Sequence, residues 1–169
     1  RVAKLLRGHA DKMKSPTNTR LHALLIEIEA VRRQVINKTA VDALASSIES
    51  FLVNNPSHPK AKQLIDDYFD VALRYSFDLD ARCQSLAKQW QPSDPELAEQ
   101  LLAKCKRQLT AIRKQIASLK DDKGYDTPRL YAQIGSAQKT IQLLDKGTTL
   151  GVFRPIHRAW RISAEKKLQ

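Results

Sequence analysis

Apolar residues recur three and four positions apart along nearly the whole chain, the spacing of one face of an α-helix. In residues 1–14, Val2, Leu6, His9 and Met13 share a face, and Ser15-Pro16 ends the pattern. A second helix begins near Thr17 or Asn18 and carries Leu21, Leu24, Ile28, Val31 and Val35. Glu29 and Arg33 form an i,i+4 pair on its outer side. After a break near Thr39, Val41, Leu44, Ile48 and Leu52 mark a third helix that stops at Asn54-Asn55-Pro56.

Pro59 suits the first position of the next helix. Its stripe is Leu64, Tyr68, Val71, Tyr75, Leu79, Cys83, Leu86 and Trp90, a single long helix near 60–90 with a bend expected at Ser76–Asp80. Ser and Asp compete there for backbone hydrogen bonds. Ser93-Asp94-Pro95-Glu96 is a strong helix start, with Asp94 as cap or Ser93 and Glu96 as a capping box. Leu102, Cys105, Leu109, Ile112, Ile116 and Leu119 then form a seam. Thr127-Pro128 opens another helix, with Leu130, Ile134, Ala137, Ile141 and Leu144 on one side and Gly147 as its stop. Pro155 opens the last.

No strand-like alternation and no fixed repeat accompany these elements. The chain therefore reads as all-α: one helical domain over residues 1–169, an antiparallel bundle of six or seven amphipathic helices. Two sub-bundles sharing the long helix near 60–90 are the alternative.

Composition adds little to this until charge is mapped along the chain. The net charge is +11. Residues 1–60 hold ten Lys/Arg against five Asp/Glu, and residues 127–169 hold eight against two. Residues 61–126 hold eleven of each. Two basic ends around a neutral centre point to an anionic partner. No apolar run approaches the roughly 20 residues of a membrane span, so the chain reads as soluble and intracellular, cytoplasmic or peripheral at a membrane. It opens on Arg1 rather than Met, which points to a piece of a larger multidomain protein.

Catalytic chemistry has little foothold. Cys83 and Cys105 fall on apolar faces without C-x-x-C spacing and read as buried reduced thiols. His9, His22, His58 and His157 lack metal-ligand spacing. Asp66, Asp67, Asp70, Asp78 and Asp80 lack partner Glu-x-x-His pairs or an EF-hand pattern, and read as a solvated face that offsets basic neighbours. Ile141-Gln142 and Lys146-Gly147 match half of a calmodulin-binding IQ pattern, but Gly151 stands at its second basic position. No enzyme, no metal and no cofactor are the expectations.

The C-terminal segment is the candidate site. From Ile156, Trp160 falls at about 40° around the helix, and Arg161, Arg154 and Arg158 at about 140°, 160° and 200°. His157 falls at about 100°. Three arginines thus share a face opposite Ile156 and Trp160, with His157 at its border. No Ser, Thr, Asp or Asn sits just before Pro155 to cap the helix start, and uncapped N-termini attract anions. A secondary basic surface is expected at Lys104, Arg107 and Lys114.

The Leu-, Lys-, Gln- and Ser-rich helices with few glycines are similar in composition to helical modules of large effector proteins from intracellular bacteria. That resemblance implies an accessory targeting or partner-binding domain, delivered to a host cell. The expected function is docking onto an anionic membrane lipid, such as a phosphoinositide, or an acidic membrane through the C-terminal segment. Acidic protein surfaces and scaffolding come second. Nucleic acid comes third, because zinc-finger, bZIP and RNP motifs are absent.

Overall fold

A computed structural model describes residues 15–33, 38–119, 126–146 and 154–169. The amphipathic segment expected within residues 1–14, with His9, lies outside them, as do Val35 and residues 147–153. Every element among the described residues is helical. In chain order they are α1 (Pro16–Arg33), α2 (Lys38–Asn54), α3 (Ala61–Asp67), a π turn (Tyr68–Ala72), a 3-10 turn (Leu73–Tyr75), α4 (Leu79–Gln89), α5 (Pro95–Ser118), α6 (Asp126–Gln133), α7 (Ala137–Asp145) and α8 (Arg154–Leu168). The all-α reading holds, with eight α-helices among the described residues rather than a bundle of six or seven.

The difference comes from two breaks. The expected long helix near 60–90 is divided. Tyr68, Phe69, Val71, Ala72 and Leu73 are all buried, and Asp70 is the exposed residue among them. The run widens into a π turn, in which Leu73 N–H reaches the Tyr68 carbonyl. Ser76 is extended, and its hydroxyl donates to the Ala72 carbonyl at 3.2 Å. Asp78 is left-handed, with φ 55°, and its carboxylate caps α4 by accepting from Ala81 N–H at 3.2 Å. The competition expected at Ser76–Asp80 thus ends one helix and starts another.

The second break is at Gly135. Residues 127–146 were expected as one helix. Gly135 instead sits at φ 68°, where glycine carries no Cβ penalty. Its N–H donates to Ala132 and that of Ser136 to Tyr131, which closes α6 before α7 starts. Smaller signals read correctly. Asp94 caps α5 by accepting from Glu96 N–H at 3.0 Å, and Pro95 follows it. Glu29 and Arg33 pair at 2.7 Å. Pro59, expected at the first helical position, instead lies in the turn ahead of α3, which starts two residues later at Ala61.

The core has two parts. The larger joins α1 to α5 and reaches α6 through Leu130: Leu24, Ile28, Leu44, Ile48, Leu52, Leu64, Tyr68, Leu79, Cys83, Trp90, Leu101, Cys105 and Ile112 are all buried in it. The expected α5 seam is only partly so. Leu109 and Ile112 are buried, Ile116 is half-buried, and Leu119 is 37% exposed. The C-terminal end of α5 runs beyond the core that its first five turns cover. The smaller part is Ala132, Ile156 and Trp160, with Tyr75, Phe77 and Leu144 packed against it. It fastens α8 to α6, α7 and the 3-10 turn. Trp160 Nε1 donates to the Tyr75 carbonyl at 2.8 Å.

Polar groups tie the two parts together around Asp78. Its N–H donates to the Ala132 carbonyl at 2.8 Å, and its carboxylate pairs with Lys167 at the end of α8. Within the larger part, Tyr68 donates to Glu49 at 2.5 Å, and Arg82 pairs with the same carboxylate while also reaching Ser46 at 2.9 Å. Burial, with Glu49 beside it, pushes the Tyr68 phenol well above its ordinary range, so it remains a donor.

Candidate functional site

α8 displays the candidate residues differently from the wheel. Ile156 and Trp160 face inward, 1% and 3% exposed. His157 was expected at the border of the arginine face, but it is 4% exposed and its ring packs on Trp160 with centroids 5.4 Å apart. The buried arc of α8 is therefore wider than Ile156 and Trp160 alone require, because α6, α7 and the 3-10 turn surround it on more than one side. Burial lowers the imidazole pKa, and the ring packs inward rather than at the border of the arginine face.

Arg161 is engaged within the fold. It pairs with Asp145 of α7 at 2.7 Å and with Glu165 one turn on at 3.0 Å. Glu165 first and Asp145 second raise its pKa further. Arg158 is exposed and makes no ion pair among the described residues. Arg154 starts α8, and its side chain lies outside the description. The three expected arginines thus do not form one free cluster. Arg158 instead begins a row with Ile162, 42% exposed, and Lys166, also exposed and unpaired among the described residues. The 4-residue steps stack these three on one side of α8.

The secondary surface on α5 also differs from expectation. Lys104 is drawn into the fold, where it pairs with Asp66 at 2.6 Å and lies over the Phe69 ring at 5.3 Å. Arg107 and Lys114 are exposed, and Lys106 and Arg113 join them. None of these four makes an ion pair among the described residues. Sequence reasoning passed over Lys106 and Arg113, although their seven-residue spacing from each other was legible.

Three of the five aspartates in the run make ion pairs among the described residues. Asp66 holds Lys104, Asp78 holds Lys167, and Asp67 holds Arg32 at 2.5 Å. Asp67 was expected in a solvated face, yet it is 5% exposed. Burial raises its pKa against the opposing pull of Arg32. Cys83 and Cys105 are buried and unbridged. The neighbouring Cys105 thiol and burial together raise the Cys83 pKa, which disfavours the thiolate that nucleophilic chemistry uses.

Two grooves flank α1. One, about 390 Å³, is lined by Leu24 with Ser46, Ser50, Phe51 and Asn54 of α2. The other, about 470 Å³, is lined by Leu21, Leu25 and Ile26 among others. Among the described residues neither sets a nucleophile beside a base. No three His, Cys, Asp or Glu side chains among them converge as a metal set, and no helix among them is long and apolar enough to cross a membrane.

Comparison of the chain with family models, with curated proteins and with solved structures found no match in any of the three.

The buried imidazole yields a pH prediction. The unfolded chain protonates His157 near the ordinary histidine value of about 6.5. The folded chain, with its lowered pKa, takes that proton only at lower pH. The unfolded state therefore binds more protons on acidification, and stability falls with pH in this window. The contribution is fully present above the unfolded value and is lost as pH falls through the folded one. Urea midpoints should drop between about pH 7.5 and pH 5.5, and His157→Gln should flatten that slope. Parallel slopes for the two proteins would refute the assignment.

Proposed function

We propose that this chain is a non-enzymatic helical targeting module that docks onto acidic membrane lipid through α8. The observation that carries this reading is the row Arg158, Ile162 and Lys166. Two cations unpaired among the described residues bracket an exposed isoleucine on one side of the helix. Such a row places positive charge at lipid headgroups while its apolar side chain enters the interface. Leu168, 55% exposed, lies at the end of the same helix.

The reading narrows the basic C-terminal segment to specific residues. Arg161 is held by two carboxylates and contributes little free charge. Arg158 and Lys166 carry the electrostatic part. Each cation near an acidic bilayer is worth about 1 kcal/mol, so reversing one removes about 2 kcal/mol, a loss of roughly thirtyfold.

Vesicle co-sedimentation tests it, with neutral vesicles, vesicles containing phosphatidylserine, and vesicles containing a phosphoinositide. Binding should require the anionic lipid and weaken as salt rises. Arg158→Glu should weaken it roughly thirtyfold, and Ile162→Asp should weaken it at unchanged helicity. Phosphoinositide binding well above equal-charge phosphatidylserine would identify a headgroup ligand. Equal binding to neutral vesicles, or retention by Arg158→Glu, would refute the reading. Stronger retention on duplex DNA than on any vesicle would favour nucleic acid instead.

A further inference from the structure

α5 is 24 residues long, about 36 Å, and its outer face has an order that a merely solvated helix does not need. Lys106 and Arg113 stand seven residues apart, and so do Arg107 and Lys114. Seven residues advance about 10.5 Å and nearly two full turns, so each pair forms a row along the axis. The two rows lie about 100° apart around the helix. Between them run Ala103, Thr110 and Ala117, also seven apart and all exposed. The Thr110 hydroxyl donates to the Lys106 carbonyl at 2.9 Å, so it folds back onto its own helix and does not project.

No acidic residue stands three or four positions from any of the four cations, where a neutralising neighbour would sit. Glu96 and Glu99 occupy the face only at its N-terminal end. Some cations elsewhere are paired: Lys104, Arg32, Arg82, Arg161 and Lys167 each hold a carboxylate, whereas Arg158 and Lys166 on α8 do not among the described residues. The four on α5 are left free together among the described residues.

We propose that the Lys106/Arg113 and Arg107/Lys114 rows are the docking face for an acidic α-helix of a partner protein. The commitment to a helix rests on the period. Flanking charges that repeat every seven residues match the charge positions of a helix lying alongside, and a low ridge between them admits its backbone closely. The commitment to acidity rests on charge complementarity with four cations that have no partner among the described residues. A lipid surface or a nucleic-acid backbone has no seven-residue period to match. A second copy of this chain offers only Glu96 and Glu99 on this face, which leaves cations unpaired in any symmetric pairing. The proposal is independent of the α8 surface. Together the two surfaces make the module a bridge between a membrane and a protein.

The test uses the whole chain and a synthetic helical peptide of about four heptads, with alanine and leucine on its contact ridge and glutamate flanking it every seven residues. A peptide of the same composition with the phase scrambled is the control. Fluorescence anisotropy should show the phased peptide binding about tenfold more tightly than the scrambled one. Arg113→Glu with Lys114→Glu should abolish that preference. Lys60→Glu with Lys62→Glu, the same charge change on another surface, should retain it. A peptide carrying lysine for glutamate should bind the α5 variant better than it binds the original chain, which excludes simple misfolding.

Equal affinity for phased and scrambled peptides would overturn the proposal, as would no binding by either. A loss of acidic-vesicle binding in the α5 variant equal to that of Arg158→Glu would assign the face to lipid and overturn it. Self-association in sedimentation that the α5 variant abolishes would assign the face to a second copy, with the same result.

Discussion

Trp160→Ala should destabilise this protein by about 3–5 kcal/mol, the range for removing a fully packed tryptophan. The side chain is 3% exposed and forms the centre of the smaller core with Ala132 and Ile156. Its indole N–H also satisfies the Tyr75 carbonyl at 2.8 Å, so truncation leaves a cavity and an unpaired acceptor together. For a chain of this size the midpoint of thermal unfolding should fall by roughly 6–20 °C. The loss should be uneven. The larger core, built from α1 to α5 with Leu130 of α6, does not include Trp160. Hydrogen exchange should therefore rise most in α7 and α8, with α2 and α4 better protected. Trp160→Phe should cost less, because it keeps most of the apolar area and loses the hydrogen bond. Uniform loss of protection across all helices would mean that the two cores are one cooperative unit.

Gly135→Ala should cost about 2–4 kcal/mol, from two sources that can be separated. The residue has φ 68°, which is unfavourable for alanine. A Cβ built there would also lie 2.6 Å from Asp78 Cγ and 2.7 Å from Lys167 Nζ. Lysine can swing away. Asp78 cannot do so cheaply, because its carboxylate caps α4 and holds Lys167 while its backbone is bonded to Ala132. Gly135→Asn tolerates the left-handed backbone but carries the same Cβ. If the clash dominates, asparagine and alanine should destabilise alike in denaturant titrations. Combining Gly135→Ala with Asp78→Gly removes the obstructing carbon, so the double variant should lose less than the sum of the single losses. Strict additivity would show that the two residues do not interfere.

Both predictions concern the part of the molecule that was least legible in the sequence. Leu24, Ile28, Leu44, Ile48 and Leu52 were placed correctly because each helix there has one apolar and one polar face. Asp94-Pro95 marked the start of α5 for a local reason: the cap bonds to a residue two positions away. The stripe from Leu64 to Trp90 misled because its period continues through a break. Periodicity counts positions, and the extended Ser76 and left-handed Asp78 shift direction without interrupting the apolar sequence. Gly135 gave a weaker sign. An isolated glycine inside a helical pattern is tolerated as well as terminating, and the carboxylate of Asp78 and the amine of Lys167 crowd it from afar.

The candidate surfaces divide in the same way. The inward face of Ile156 and Trp160 followed from a helical wheel, and so did the outward position of Arg158, because both depend only on the helix itself. Three facts depended on distant residues. Arg161 is neutralised partly by Asp145, on a different helix. Lys104 is claimed by Asp66, 38 positions away. His157 is buried because several elements close around α8. The sequence by itself determined the helical class, most core positions and the excess of positive charge, since these are local or additive properties. Only the tertiary structure decided which cations remain free, because an ion pair across elements requires two side chains that only folding brings within a few ångströms.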